Sequence, residues 1–417
     1  MVLIMHSSKL YCALALLLIL MFNDTLGQNI PTDNTSTENK IGNNSKVLKN
    51  YWDCYNHFEH PFCELIAEKK DYFTYVPPPY SFFEAPFANK IQSTTINVVY
   101  NGYSTAAQTA FQYAVDILET EITSPVTIDI AANWVVLGSG ILGSAGANYF
   151  LGNFPNAPLA NTFYPAALSN KLAGYDLYPA DHDINANFSS AFSNWYFGTD
   201  GNTPAGQYDF VSVVLHEIIH GLGFAGSMSV SGNAGSWGIG NPKYPIVYDT
   251  YAVNGNNQQL LNTSLFPNPS VALGNQLKSD NLFFSGSGSI IGNGGTKPKL
   301  YAPATWEGGS SYSHWNEITY PAGNINSLMT PSIGSAEAIH NPGFITRGLL
   351  QDIGWTVDQS LPVELSSFSA SVIGSSVKLN WVTATEVNNY GFEIQKSVVG
   401  SLNLKSIIIN FCRCYPI

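Results

Sequence analysis

The chain has 417 residues, with 17 basic and 29 acidic side chains, a net charge of −12 and 45% hydrophobic residues. This length accommodates one large domain with additional segments, and the apolar and aromatic content excludes a disordered chain. The negative charge, without a cluster of lysines or arginines, argues against nucleic acid or an anionic membrane as the main partner.

The chain begins with the features of a secretory signal. Residues 10–22 form an uninterrupted apolar run of 13 residues after Lys9, and small and polar residues follow as far as Gly27. Such a run is too short to span a bilayer comfortably, so we predict that residues 1–27 are a cleavable signal peptide. The mature protein is then expected outside the cytoplasm, secreted or at the cell surface, without stable insertion in a membrane.

Residues 28–90 separate this signal from the expected main domain. Residues 28–50 are rich in asparagine, threonine and serine, which is typical of a flexible leader, and an aromatic segment with three prolines at 77–79 follows. We interpret the whole stretch as a leader and a candidate pro-region. Export permits a disulfide between Cys54 and Cys63. Alternatively, one of these two cysteines is a thiolate that masks a metal in a latent precursor.

Strand and helix patterns alternate along the next hundred residues. Residues 94–100 alternate in polarity like a strand, residues 106–123 carry apolar side chains at helical spacing, and residues 126–137 form a second strand pattern before a glycine-rich segment. Residues 183–188 are a further candidate strand. This order predicts a mixed sheet backed by helices, and thus an α+β fold.

Residues 209–222 form the clearest helix pattern in the chain. Asp209 can cap the N-terminus, Gly223 can end the helix, and the residues between are apolar on nearly every side, which predicts a buried helix. Residues 226–305 are then rich in glycine, asparagine and serine, with strand-like pieces such as 245–253. Because this stretch is too long for a simple connection, we predict an inserted lobe.

Three residues of the predicted helix carry chemistry: His216, Glu217 and His220, within the pentapeptide HEIIH. Positions i and i+4 of a helix lie on one face, so both imidazoles can bind one Zn²⁺, while Glu217 stands beside the open coordination position. There it can accept a proton from a water molecule that attacks a carbonyl carbon. The spacing therefore predicts a zinc hydrolase site.

A third protein ligand is needed, because catalytic zinc sites normally combine three protein ligands with a water molecule. His314 and His340 follow the helix in the sequence, and Asp249 would give a site with two histidines and one aspartate. Composition and spacing leave these three candidates open. His182, in a polar loop, is more simply explained as a structural residue.

The segment HEIIHGLG, residues 216–223, resembles the metzincin zinc peptidases. In their compact motif a third histidine follows three residues after the glycine, where this chain has Gly226. The leishmanolysin-like branch instead resumes the motif after a long insertion, at a histidine followed by tryptophan and later at a Leu-Met segment. This chain matches that branch at His314 and Met329. Residues 341–355 resemble the helix that follows in secreted bacterial relatives.

This resemblance implies a two-lobe, metzincin-like peptidase domain over residues 91–358, with residues 226–305 as the inserted lobe. The implied zinc ligands are His216, His220 and His314. Met329 would lie in the turn beneath the metal, and Glu217 would be the catalytic residue. The protein would then be a secreted zinc metalloendopeptidase that hydrolyses proteins or peptides, with the substrate extended against an edge strand of the sheet.

Other interpretations stay open from the sequence. One is a non-catalytic surface adhesin or binding protein on a metzincin-like fold, although an intact Glu217 argues against it. Another is a zinc hydrolase that acts on a non-protein amide. Residues 198–209, rich in aspartate, asparagine and glycine, are a candidate Ca²⁺ loop that lacks EF-hand spacing.

Residues 361–417 form a separate segment after the peptidase domain. The strand-like patterns over residues 361–396 resemble the fibronectin-III-like module found near the C-termini of secreted bacterial proteins, and the match fades after Ser397. We therefore predict a partial β-sandwich module at this end of the chain.

Overall fold

A computed structural model describes residues 3–7, 52–53, 62–84, 94–357, 364–373, 376–385, 392–396 and 405–407. The chain divides into two compact units. The larger unit is Asn43–Asp358, and the smaller one combines Met1–Gly42 with Gln359–Ile417.

Helices and strands alternate along the larger unit. In chain order, the helices are α1 (Tyr80–Glu84), α2 (Thr105–Glu121), α3 (Ala166–Ala173), α4 (Phe210–Leu222), α5 (Val271–Leu277), α6 (Ser287–Gly292) and α7 (Phe344–Ile353). The strands of the described residues are β1 (Leu3–Ser7), β2 (Trp52–Asp53), β3 (Cys63–Val76), β4 (Ile96–Asn101), β5 (Ile122–Thr123), β6 (Ile128–Val135), β7 (Ile141–Ala147), β8 (Phe150–Gly152), β9 (Phe163–Pro165), β10 (Ile184–Ser189), β11 (Trp195–Tyr196), β12 (Tyr208–Asp209), β13 (Ser229–Ser231), β14 (Ala234–Ser236), β15 (Ala252–Asn254), β16 (Leu282–Phe284), β17 (Ser332–Ile339), β18 (Thr356–Val357), β19 (Glu364–Ile373), β20 (Ser376–Thr385), β21 (Phe392–Lys396) and β22 (Lys405–Ile407).

A six-stranded sheet forms the centre of the larger unit, in the order β17-β3-β7-β10-β6-β4. Strands β4, β6 and β10 run parallel to one another, as do β3 and β17. Strand β7 is antiparallel to both of its neighbours, β3 and β10. The predicted α+β fold with a mixed sheet is therefore confirmed.

Helix α4 packs against β7 and against α2. The side chain of Asp209 caps it by accepting hydrogen bonds from the Ser212 backbone N–H at 2.8 Å and the Ser212 hydroxyl at 2.6 Å. A cap of this kind contributes about 1 kcal/mol to stability. Gly223, with φ of 123°, ends the helix, and every residue of α4 is buried. The prediction of a capped, fully buried helix is confirmed.

Several elements differ from the sequence predictions. The glycine-rich segment after β6 contains strand β7, and part of the candidate pro-region forms strand β3 of the central sheet. The strand-like piece at 245–253 is instead a 3-10 helix, Val247–Tyr251, followed by the short strand β15. The prediction of a strand there was wrong because the Asp249 carboxylate bonds the backbone N–H of Ile246 and holds a turn.

One buried carboxyl of this unit gives a prediction for stability against pH. Burial raises the pKa of Asp183 from 3.8 to about 7. The folded state therefore holds this proton more tightly than the unfolded state, so the contribution to stability is complete below pH ~4 and is lost as the pH rises toward 7. Relative to Asp183→Asn, the wild type should lose on the order of a few kcal/mol of unfolding free energy between these limits. Denaturant unfolding of both proteins at several pH values tests this, and parallel curves would contradict it.

The smaller unit contains β-structure only, over its described residues. Strands β19 and β20 form an antiparallel pair, and β21 pairs antiparallel with β1 and β22. The apolar run 10–22 of the predicted signal peptide lies outside the described residues. In the part of the chain that is described, no helix is both long and apolar enough to cross a membrane.

Candidate metal centre

Three buried histidines bring their Nε2 atoms together at one point. The Nε2 atom of His216 lies 2.9 Å from that of His220 and 3.2 Å from that of His314, and the remaining pair is 3.2 Å apart. Within the described residues, these three form the one group of histidine, cysteine and acidic side chains with the spacing to hold a metal ion. Helix α4 supplies two of them from one face, as the i and i+4 spacing predicts.

A backbone carbonyl fixes the orientation of each imidazole. The Nδ1–H groups donate to the carbonyl oxygens of Leu328, Phe224 and Ser310, from His216, His220 and His314 respectively, each at 2.7 Å. Because a carbonyl oxygen only accepts, Nδ1 carries the proton in each ring and Nε2 keeps its lone pair. All three lone pairs therefore point into the same small space, which is the arrangement a metal ligand set requires.

Burial keeps the three imidazoles neutral. It lowers the pKa of His216 to about 4, although the hydrogen bond to Leu328 opposes the shift. It also lowers the pKa of His220 and of His314 well below 6.5, and the neighbouring imidazoles add to both shifts. Neutral imidazole is the form that binds metals, so the group is competent as a ligand set at neutral pH.

The third histidine is held by backbone pairing with the end of the predicted inserted lobe. The backbone N–H of Tyr301 donates to the carbonyl of His314 at 2.8 Å, and the Tyr312 N–H donates to Tyr301 at 2.7 Å. On the other side, the N–H of Trp315 donates to the carbonyl of Met329 at 2.8 Å. The turn that contains Met329 is thus hydrogen-bonded to Trp315, the residue after His314.

Gly226, where the compact metzincin motif has its third histidine, has no room for a side chain. A Cβ atom there would overlap the Tyr312 ring and lie 2.7 Å from an Asp249 oxygen. The Gly226 backbone N–H instead donates to the Ser313 hydroxyl at 3.1 Å. The third imidazole is therefore supplied by His314, after the inserted lobe, and not by the residues that follow α4.

Glu217 follows His216 directly on α4, and its side chain packs against β7. A Cβ atom at Gly143 would lie only 2.8 Å from Cγ and Oε1 of Glu217, so glycine there makes room for the carboxylate. Burial raises the pKa of Glu217 well above 4.5, and the nearby backbone amides of Leu65 and Ala145 oppose the shift. Neither carboxylate oxygen completes a hydrogen bond of normal geometry with a described residue. Glu217 is thus a buried carboxyl with a raised proton affinity.

Cys63 is a free, buried thiol at the start of β3. The predicted disulfide with Cys54 is therefore not formed; Cys54 itself lies outside the described residues. Burial raises the pKa of the Cys63 thiol, and the charge of Glu217 adds to this shift. Cys63 is not part of the described group of side chains with the spacing to hold a metal ion, so the thiolate interpretation of Cys63 gains no support.

The two competing ligand candidates lie in other hydrogen-bond groups. His340 donates from Nε2 to the Asp209 carboxylate at 2.9 Å, and both side chains are fully buried. Asp249 accepts hydrogen bonds from the Ser227 backbone N–H at 2.9 Å and from the Tyr312 hydroxyl at 3.0 Å. Neither residue belongs to the histidine group, and Asp249 instead connects the inserted lobe to the loop that carries His314.

The remaining sequence candidates lie away from the three histidines. His182 is partly buried in the loop before β10, outside the described metal group. In the candidate Ca²⁺ loop, the Asp200 carboxylate accepts hydrogen bonds from Asn202 and from the Tyr196 hydroxyl, and no group of three acidic side chains is found among the described residues.

Sequence reasoning missed the backbone carbonyls that orient the imidazoles, since carbonyls leave no signal in residue types. It also missed Gly143 and the strand over Glu217. The antiparallel register places Leu65 opposite Gly143 and Cys63 opposite Ala145, so β3 covers the carboxylate. Strand β7, against which Glu217 packs, is therefore an interior strand, and the edge strands of the sheet are β17 and β4.

Comparison with known proteins adds one partial match. A family model described as SPBPB7E8-like matches residues 160–268, about a quarter of the chain. The matched span contains α4 with His216, Glu217 and His220, and it ends before His314. No curated protein matches the chain, and no solved structure does.

Proposed function

We propose that this protein is an exported zinc-dependent endopeptidase with a two-lobe, metzincin-like domain of the leishmanolysin type. The observation that carries the proposal is the convergence of three buried Nε2 lone pairs, two of them from the helix that also carries Glu217. Support for export comes from the apolar run at residues 10–22. Expected substrates are proteins or peptides.

The three imidazoles fit zinc. With Zn–N distances of about 2.0–2.1 Å and tetrahedral angles, two ligand nitrogens lie roughly 3.3 Å apart. The Nε2 separations in this chain are 2.9, 3.2 and 3.2 Å. His216, His220 and His314 would hold the ion, which supplies a Lewis acid that acidifies water and polarises a carbonyl.

Glu217 would act as the general base. It follows His216 directly, so it can reach a water molecule at the site without replacing a ligand. Burial raises its pKa well above 4.5, which strengthens it as a proton acceptor once it is ionised. Glu217 would take a proton from the attacking water and return it to the nitrogen of the leaving amine.

Removal of the metal should abolish hydrolysis. Because β3 covers Glu217, casein hydrolysis is measured on the full chain before and after a brief trypsin treatment that is stopped with a serine-protease inhibitor. We expect about one zinc ion per chain, a loss of hydrolysis of at least about 100-fold with a chelator, and recovery when zinc is returned.

Two results would contradict the proposal. A chain that binds zinc yet cleaves no protein substrate, with or without trypsin treatment, would favour the non-catalytic binding protein. Hydrolysis of small non-protein amides without any peptide cleavage would favour the other zinc hydrolase interpretation.

A further inference from the structure

The first four residues of β3 fill the space beside Glu217 that an extended substrate needs. On one side they pair with β7, with Cys63 opposite Ala145 and Leu65 opposite Gly143. On the other side, the Glu64 N–H donates to the Gly309 carbonyl at 3.0 Å. The Ile66 N–H likewise donates to the Pro331 carbonyl at 3.2 Å. Both edges of this segment are therefore hydrogen-bonded, and no second strand can enter there.

This placement is incompatible with turnover. A general base must lie within hydrogen-bond distance of the water molecule that it deprotonates, and that water must have access to the substrate carbonyl carbon. Glu217 is fully buried, its side chain lies against Gly143 of β7, and the amide of Leu65, which is opposite Gly143, lies beside its carboxylate. We call residues 63–68 the covering strand, and it must leave before a peptide can bind.

Strand β3 is divided into two halves by an exposed bulge. Its pairing with β17 shifts register twice between Gly334 and Glu337, so that residues 69–70 and 72–73 have no ladder partner on β17, while Asp71 between them pairs with Ser335. Lys69, Lys70 and Asp71 are exposed within this bulge. Phe73 has a φ of 53°, in the left-handed region that a phenylalanine rarely adopts. An exposed, irregular segment of this kind is a preferred position for proteolysis.

We infer that Lys69-Lys70 is the processing site of a latent form, and that cleavage there by a trypsin-like or dibasic-specific proteinase releases the covering strand. The inference rests on the proposed function. Hydrolysis consumes one water, breaks the C–N bond after Lys69 or Lys70, and leaves a carboxylate on that lysine and an amine on the next residue.

The remainder of β3 has its own attachments and would stay in place. The Asp71 carboxylate accepts hydrogen bonds from the Gly206 N–H at 2.8 Å and the Ser335 hydroxyl at 2.6 Å. Residues 74–76 remain paired with β17. Cleavage therefore separates the covering strand from the second half of β3, which remains paired with β17.

Limited trypsin digestion of the full zinc-loaded chain tests the inference. N-terminal sequencing should find a new terminus at Lys70 or Asp71, and zinc-dependent casein hydrolysis should rise by at least about tenfold. As an independent readout, mass spectrometry should show that alkylation of the buried Cys63 thiol accelerates by a similar factor after cleavage. Lys69→Gln/Lys70→Gln should block all three changes.

Matched variants separate cleavage at this bulge from other effects. Lys69→Arg/Lys70→Arg keeps trypsin specificity and should be activated normally. Lys243→Gln removes an exposed lysine of a different loop and should also be activated normally. The inference fails if the uncut chain is already fully active, or if the double glutamine variant is activated like the wild type. If Cys63 becomes reactive but no zinc-dependent hydrolysis appears, strand release stands and the proposed function fails.

Discussion

Replacement of Glu217 by glutamine should lower peptide hydrolysis by about 10²- to 10⁴-fold while the zinc content stays unchanged. Glutamine has the shape of glutamate but cannot accept the proton of the attacking water. The fold should tolerate the change, because the wild-type carboxyl is buried and its charge is disfavoured there. Zinc content and casein hydrolysis are measured on trypsin-treated protein.

The matched control for this variant is Glu307→Gln. Glu307 lies on the loop before His314, and its exposed carboxylate accepts a hydrogen bond from the Tyr301 hydroxyl. It should keep both zinc and hydrolysis. If Glu217→Gln hydrolyses casein at a rate within a factor of about three of the wild-type rate, Glu217 is not the general base.

Replacement of His314 by alanine should abolish tight zinc binding. The variant retains only the two ligands of α4, whereas a catalytic zinc site normally has three protein ligands. A ligand at 1,000 times its Kd stabilises the folded state by about 4 kcal/mol. The wild type should show a stabilisation of this order on saturation with zinc, and His314→Ala should show almost none. Titration of the zinc-free proteins and thermal unfolding with and without zinc measure both effects.

Any cavity that the alanine creates lowers the unfolding free energy of the zinc-free and the zinc-loaded state alike. The difference between these two states of one variant therefore reports zinc binding alone. His182→Ala provides the control, because His182 is a partly buried histidine outside the metal group. It should bind zinc like the wild type. If His314→Ala instead keeps wild-type affinity, the third ligand is a different residue and the match to the leishmanolysin pattern is accidental.

The sequence predicted the elements whose signal is local. Helix α4 was predictable because its cap at Asp209, its stop at Gly223 and its apolar residues all lie within one stretch of chain. Strands β4, β6 and β10 were predictable from their polarity patterns. His216, Glu217 and His220 were predictable from spacing alone, since a helix fixes their relative positions.

The remaining features depend on tertiary contacts. Strand β7 was not predicted because Gly143 weakens any strand pattern, and the reason for this glycine is the Glu217 side chain on another element. The placement of β3 in the sheet was missed because its charged bulge at residues 69–71 interrupts the alternation. The position of His314 followed from a resemblance, and its hydrogen bonds with the 299–301 segment could not be derived from residue types.

The hydrogen bonds that orient the imidazoles also set the time at which the centre can form during synthesis. The Nδ1 atom of His216 and the carbonyl of Leu328 are 112 residues apart, and His220 and His314 are 94 residues apart. Contacts between residues so distant in sequence form late, because the second residue must first be synthesised and the long loop between the two must then close. A growing chain therefore carries Glu217 and two of the imidazoles long before the third imidazole can join them. The group of three histidines is therefore complete only after the last part of the domain has been made.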